Sequence, residues 1–316
     1  MIALLHGLAR HGRLLLVLGL IVGILAPGLA KELAPFIFPM IVFLLFLSTL
    51  RVDVLRAFPA WTDVPGYLGI TLMMQVALPM GAIGLLAVMG ALTSILGIGM
   101  VLVLAAAPLT GSPGLTLMVG GEPAPALRQL IIGTMLLPLT VLPVFWVMPV
   151  FGSPAVVAIA AAKLLGVIAV AGGLGLILRR CFSFFQSFQG ERAVEGLITV
   201  AMAVVVVGLM SAVGPALLTA SPELWRTLAV VFGLNFGAQI TIFLGVTRFG
   251  RAEAAPALAV IGGNRNLALF LGALPANTAS DLLLFIGCYQ VPMYVTPLVM
   301  APLMRLLKRR MSDMPF

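Results

Sequence analysis

The sequence predicts an all-α membrane protein with ten transmembrane helices, built as two five-helix repeats of opposite orientation. Three features predict it: the composition, a one-sided distribution of positive charge, and two helix-breaking patches half a chain apart. Of 316 residues, 62% are hydrophobic and 9% charged, and mean hydropathy is +1.20. Soluble domains hold about 45–50% apolar and about 25% charged residues. The bilayer must therefore solvate most of this apolar surface. A large globular domain, a nucleic-acid-binding module and a disordered regulator are excluded. The net charge of +8 is read as charge that sets topology, with no nucleic-acid partner.

At roughly 20 residues per span, apolar runs bounded by charge, Pro and Gly give the elements in order. The first is expected at 14–29. Arg10, Arg13 and the run from Leu14 to Leu25 resemble a signal peptide. Removing that run would leave nine spans and an outward N-terminus, so it is kept as a span. The second and third follow at 35–50 and 66–88, the third carrying Gln75 in Met74-Gln75-Val76-Ala77-Leu78-Pro79. The fourth, 92–120, contains Pro108-Leu109-Thr110-Gly111-Ser112-Pro113-Gly114, which no continuous helix accommodates. The fifth to seventh lie at 126–148, 154–178 and 193–212, with Lys163 inside the sixth. The eighth, 224–246, carries Asn235 and Gln239. The ninth, 254–275, is interrupted by Gly262-Gly263-Asn264-Arg265-Asn266, and the tenth is 282–304.

Positive charge tests this map. One face of the membrane receives Arg10, Arg13, Arg51, Arg56, Arg128, Arg179, Arg180, Arg192, Arg248, Arg251, Arg305, Lys308, Arg309 and Arg310. The other receives only Lys31 and Arg226. The positive-inside rule makes the first face cytoplasmic. A multi-pass protein of the cell (inner) membrane with both termini cytoplasmic is the expectation. Cys181 and Cys288 fall too far apart in this topology to suggest a disulfide.

The two breaks, centred near 111 and 264, are 153 residues apart, against a half-length of 158. Gln75 and Gln239 are separated by 164. Each break thus occupies the fourth span of a five-span half, 1–150 or 151–316. Because five is odd, the second half crosses in the opposite sense. Paired discontinuous helices in inverted repeats mark a midplane binding site. The amides of Gln75, Asn235 and Gln239 can bond between helices or offer carbonyl oxygens to an ion.

At these residues the chain resembles the bile acid:sodium symporter (BASS, SBF-like) family of the BART superfamily. The stretch Phe43 to Leu55, Gln75 with Pro79, and Ala107 to Gly114 fall in the family's order and spacing. So do Gly121-Glu122, Thr134-Met135-Leu136-Leu137-Pro138 and Gly263-Asn264-Arg265-Asn266. The resemblance implies a panel of spans 1, 2, 6 and 7 beside a core of spans 3–5 and 8–10, with the broken helices crossing in the core. It also implies two sodium ions behind the crossing. Of that ligand set the sequence keeps Gln75, Thr134 and Asn266, with Gln239 as the repeat counterpart of Gln75. Pro113-Gly114 replaces a Ser-Asn pair, Leu130 a hydroxyl, Ile261 a Glu, and Arg265 a Gln.

Those departures bear on mechanism. Sodium needs oxygen ligands and a compensating carboxylate, but all ten acidic residues map to loops or helix ends. A guanidinium 4–6 Å from sodium would repel it by about 3–4 kcal/mol at an effective dielectric near 20. The two-sodium mechanism is therefore expected to be lost or altered, with no cofactor in its place. Arg265 is expected to replace the ion's charge, to anchor an anionic substrate, or to cap the broken backbone carbonyls. Intramembrane charge is retained for such partners or pathways. Thr110, Ser112 and Asn264 are candidate substrate contacts. Lys163, some 13 Å deep at about 1.5 Å per residue, either faces the cavity between panel and core or snorkels to the interface.

The expected function is secondary active transport of a small organic anion by alternating access, with the bilayer as surroundings and no obligate protein partner. A sodium-coupled symporter of the usual family type, an efflux carrier and a channel or sensory domain are the alternatives. The resemblance gives the arsenite branch a thiolate site in the fourth span, and Cys181 and Cys288 lie elsewhere. An enzyme is not expected: the two histidines, His6 and His11, precede the first span, and no zincin or nucleophile motif is present.

Overall fold

The computed structural model describes residues 2–250 and 252–312. Arg251 and Asp313 lie outside the described residues, as do the side chains of Arg13 and Arg310. The described chain is helical nearly throughout. Its N-terminal part forms α1 (Ile2–Arg10), α2 (Gly12–Leu25), α3 (Pro27–Leu33), α4 (Ile37–Arg51) and α5 (Val54–Ala57). Next come α6 (Val64–Leu72), a π turn (Met73–Ala77), α7 (Leu78–Val88), α8 (Ile95–Ala105) and α9 (Ser112–Met118). The long helices α10 (Pro123–Val147), α11 (Pro154–Cys181), α12 (Phe188–Leu218) and α13 (Pro222–Arg248) follow. The chain ends with α14 (Ala255–Gly263), a 3-10 turn (Leu267–Gly272), α15 (Ala276–Asp281) and α16 (Leu283–Ser312).

Among the described residues, seven helical stretches are long and apolar enough to cross a membrane: Pro27–Arg51, Val64–Val88, Pro123–Val147, Pro154–Cys181, Phe188–Leu218, Pro222–Arg248 and Leu283–Arg309. The other three expected spans are split. The fourth divides into α8 and α9, and the ninth into α14 and the turn after it. The first is preceded by α1, a helix where the sequence suggests only a charged flank. Its end is also earlier than expected. Ala26 leaves helical geometry (φ −119, ψ 69), and Pro27, with no N–H to lose, opens the next helix. Lys31 and Glu32 therefore sit within α3 and not in a loop.

Local chemistry sets other boundaries. Serine hydroxyls cap three helices, Ser94 accepting from Gly97 N, Ser153 from Val156 N and Ser187 from Gly190 N. The π turn has its cause in Pro79, which cannot donate to the carbonyl four residues back and whose ring would crowd it. Widening the turn, so that Leu78 N reaches Met73 O, removes that conflict. Gln75 lies within the widened turn.

The helices pack in two sets. In one, α12 lies against α1, α2, α3 and α4, and α11 against α4. Small residues make that approach possible: a Cβ on Gly23 would come 2.7 Å from Met210 Cβ. In the other set, α13 packs on α14 and α16, and α10 on α6, α9 and α14. The sets meet where α12 touches α16, α11 touches α10 and α4 touches the 3-10 turn Leu267–Gly272.

Candidate functional site

The two interrupted helices cross at their breaks. After α8, Ala106 turns extended (ψ 153), and after α14, Asn264 does the same (φ −108, ψ 98). The two extended segments pair antiparallel. Leu109 N donates to Asn264 O at 2.9 Å, and Asn266 N donates to Ala107 O at 2.8 Å. This pairing satisfies backbone groups that each helix loses by breaking, as buried backbone requires.

Arg265 stands in the crossing and is 1% exposed. Its Nε donates to Gly262 O and its Nη1 to Ala106 O, both at 3.1 Å. One carbonyl closes α14 and the other follows α8, so the guanidinium sits at the negative dipole ends of two half-helices. Its Nη2 is buried with no hydrogen-bond partner. The Tyr289 hydroxyl accepts from Arg265 N at 3.3 Å and donates to Gly263 O. Capping of both broken helices, one of the readings of Arg265, is thus what two of its nitrogens do.

Amide clusters brace the crossing on two sides. Gln75 Nε2 donates to Gly133 O at 3.0 Å, and Thr140 Oγ1 donates to Gln75 Oε1 at 2.7 Å. Gly133 must lack a side chain, because a Cβ would come 2.9 Å from Gln75 Nε2 and 3.0 Å from Pro108 Cδ. On the other side, Gln239 Nε2 donates to Asn235 Oδ1 at 2.7 Å and to Thr296 Oγ1 at 3.2 Å. Asn235 Nδ2 in turn donates to Gly263 O and to Asn264 Oδ1.

A cavity of about 720 Å³ runs from the crossing to charged helix ends. Thr110, Gly111, Arg265 and Asn266 line its inner end, and Arg10, His11, Arg51, Arg192 and Glu195 line its mouth. Between them the wall is largely apolar, with Ile41, Leu44, Leu115, Met118, Met202 and Met293. Both helix sets contribute, so the cavity lies at their junction. Chemically this is a largely apolar cavity with a buried cation at its base and a basic mouth.

The expected site residues divide accordingly. Thr110, Arg265 and Asn266 line the cavity. Ser112 does not: it is fully buried in the first turn of α9, and its Oγ has no partner. Asn264 also faces away, since Nδ2 donates to Val260 O and Oδ1 accepts from Asn235 and Thr296. Lys163 does not line the cavity. It is exposed on the outer face of α11 beside Ile159 and Val170, while Val157, Ala160 and Leu164 turn inward.

Both amide atoms of Gln75 bond to protein, tying its helix to α10. Thr134 is half-buried, and Thr140 is the hydroxyl that reaches Gln75. Gln239 keeps one buried oxygen, Oε1, without a partner. Sequence reasoning missed Tyr289, Thr296 and Thr140, which only their polarity inside apolar runs could have flagged. It also missed Arg10 as a cavity residue. No family model matches the chain, and no curated protein matches it in sequence.

Proposed function

We propose that the chain is a secondary transporter of small organic anions working by alternating access, with Arg265 holding permanently the charge that the bile acid:sodium symporter resemblance assigns to sodium. The observation that carries this reading is the geometry of Arg265. Two of its nitrogens lock onto the carbonyls of Ala106 and Gly262, while the third is buried without a partner in a side chain lining a 720 Å³ cavity. A buried donor left unmatched costs about 1–3 kcal/mol, and an anion brought from the cavity within reach of Nη2 would recover it. A guanidinium can offer that donor to a carboxylate with charge-assisted strength.

In this reading the chain crosses the cell (inner) membrane ten times with both termini cytoplasmic. The α1–α4, α11 and α12 set is the panel, and α6–α10 with α13–α16 is the core. The amide clusters support the inverted repeat of 1–150 and 151–316. Gln75 of the third span meets Thr140 of the fifth, just as Gln239 of the eighth meets Thr296 of the tenth. Membership of the symporter family belongs to the same proposal, as a member whose sodium sites have been replaced.

Proteoliposome uptake of a radiolabelled carboxylate tests it. Wild-type uptake is expected to be independent of sodium, and Arg265→Gln is expected either to abolish uptake or to make it require sodium. Sodium-dependent uptake by the wild type, abolished by Gln75→Ala, would overturn the reading.

A further inference from the structure

The cavity's mouth carries more cation than its partners neutralise. A cleft of about 600 Å³ opens beside it, lined by Arg51, Arg56, Arg179 and Arg192 against Asp53, Glu191 and Glu195. Two of the arginines have carboxylates of their own. Arg179 pairs with Glu191 at 2.7 Å and Arg56 with Asp53 at 3.4 Å. The other two share one: Glu195 Oε1 lies 3.6 Å from Arg51 and its Oε2 lies 3.5 Å from Arg192. Both separations exceed hydrogen-bond length. The carboxylate is divided between two guanidiniums and held closely by neither.

These three residues also line both spaces, the deep cavity and the surface cleft. Glu195 is the only acidic residue lining the deep cavity among the described residues, where Arg10 stands beside the same mouth. The three side chains remain partly solvated, at 33%, 48% and 37% exposure for Arg51, Arg192 and Glu195. Water and small anions can therefore reach them, and the pairings are weak enough to exchange.

The geometry points to a second anion subsite at the mouth, formed by Arg51 and Arg192, in which Glu195 is a tethered carboxylate that an incoming substrate carboxylate displaces. The inference rests on the transport reading above and adds an outer station to the Arg265 site. Glu195 sets the affinity of that station. It keeps the arginine pair from holding an anion so tightly that it cannot move on, and it selects for ligands whose carboxylate competes with its own. Arg51 lies at the end of α4, while Arg192 and Glu195 lie on α12. The subsite therefore belongs to one helix set, while Arg265 belongs to the other.

Binding of 2-naphthoate to purified protein in phosphatidylcholine nanodiscs, measured by calorimetry, separates the two sites. Glu195→Gln is expected to tighten binding by up to about fivefold, the upper end for an exposed ion pair. Adding Arg51→Gln and Arg192→Gln should remove that gain. If Glu195→Gln fails to fold, Glu195→Asp, whose shorter side chain cannot span both guanidiniums, should tighten binding in the same direction. Unchanged or weaker binding by the folded Glu195 variant, or no binding by either protein, overturns the outer subsite. Arg265→Gln in the same assay should lose one binding equivalent and keep the outer one. If it keeps the wild-type number of sites and affinity, the transport reading fails, whatever the Glu195 result.

Discussion

The last carbonyls of α8 and α14 have no partners within their own helices, and Arg265 reaches one at each break, Ala106 O just after α8 and Gly262 O at the end of α14. Among the described residues no carboxylate takes part, so the guanidinium is held by peptide dipoles and by hydrogen bonds from a charged donor, worth about 1.5–3 kcal/mol each. Arg265→Met keeps the volume and removes both donors, leaving two buried carbonyls open. It is expected to destabilise the protein by about 2–5 kcal/mol, read as a lowered thermal midpoint in nanodiscs. Wild-type stability in that variant would show that the capping bonds contribute little. The position of Arg265 was legible because a permanent charge inside an apolar run is rare and needs a partner. Lys163 met the same criterion, yet it lies on the exposed face of α11 and does not line the cavity. Both faces of α11 are apolar, with Val157 and Leu164 inward and Ile159 and Leu165 outward. Where lipid and protein interior are equally apolar, hydropathy carries no helical phase, so the direction of Lys163 could not be read from the sequence.

Pro79 shows how one residue shapes an element. By forcing the turn Met73–Ala77 to widen, it shifts the phase of everything on its N-terminal side by about one residue, near 100° of rotation. Gln75 owes its aim at Gly133 and Thr140 to that shift. Pro79→Ala restores the missing N–H and allows the helix to relax to regular α geometry. A double-mutant cycle between Gln75→Leu and Thr140→Val should give a coupling of about 1 kcal/mol in the wild-type background. In the Pro79→Ala background the coupling should be close to zero, and an undiminished value would assign the turn to tertiary packing instead. The proline could be read from sequence, but its consequence could not, because a proline in a membrane span can equally kink, cap or widen. The breaks at Pro108–Gly114 and Gly262–Asn266 were legible for the opposite reason: several breakers together leave no helical solution. Ser112 and Asn264, lying within those patches, were assigned to the cavity because a break exposes polar atoms. Which atoms the neighbouring helices then absorb depends on Asn235 and Thr296, far away in the chain.

At the scale of the molecule, two helix sets enclose a cavity that reaches from the crossing to one charged mouth. The order of hydrophobic runs gave the helices their places, and the lopsided arginines gave the proposed orientation. Neither could reveal which side of the crossing the cavity opens on, since that depends on how the sets lean and not on where each begins. If the arginine-rich mouth is cytoplasmic, this arrangement is an inward-open state, and alternating access requires a second state in which the same crossing faces the other way. Thr110 is suited to report on the exchange. It is partly exposed at the base of the cavity, and the chain's own cysteines are easily controlled, with Cys181 exposed and Cys288 buried. Thr110→Cys in a Cys181→Ser background, reconstituted with known sidedness, should react with a membrane-impermeant maleimide from the cytoplasmic face. A carboxylate substrate should slow that reaction by filling the cavity. A rocking protein should also show slower labelling from the opposite face, accelerated when substrate is placed there. A static pore would label at comparable rates from both faces whatever the substrate, and protection would then follow simple occlusion with no side preference. Labelling confined to the opposite face would reverse the proposed orientation, and with it the assignment of the arginine-rich mouth to the cytoplasm.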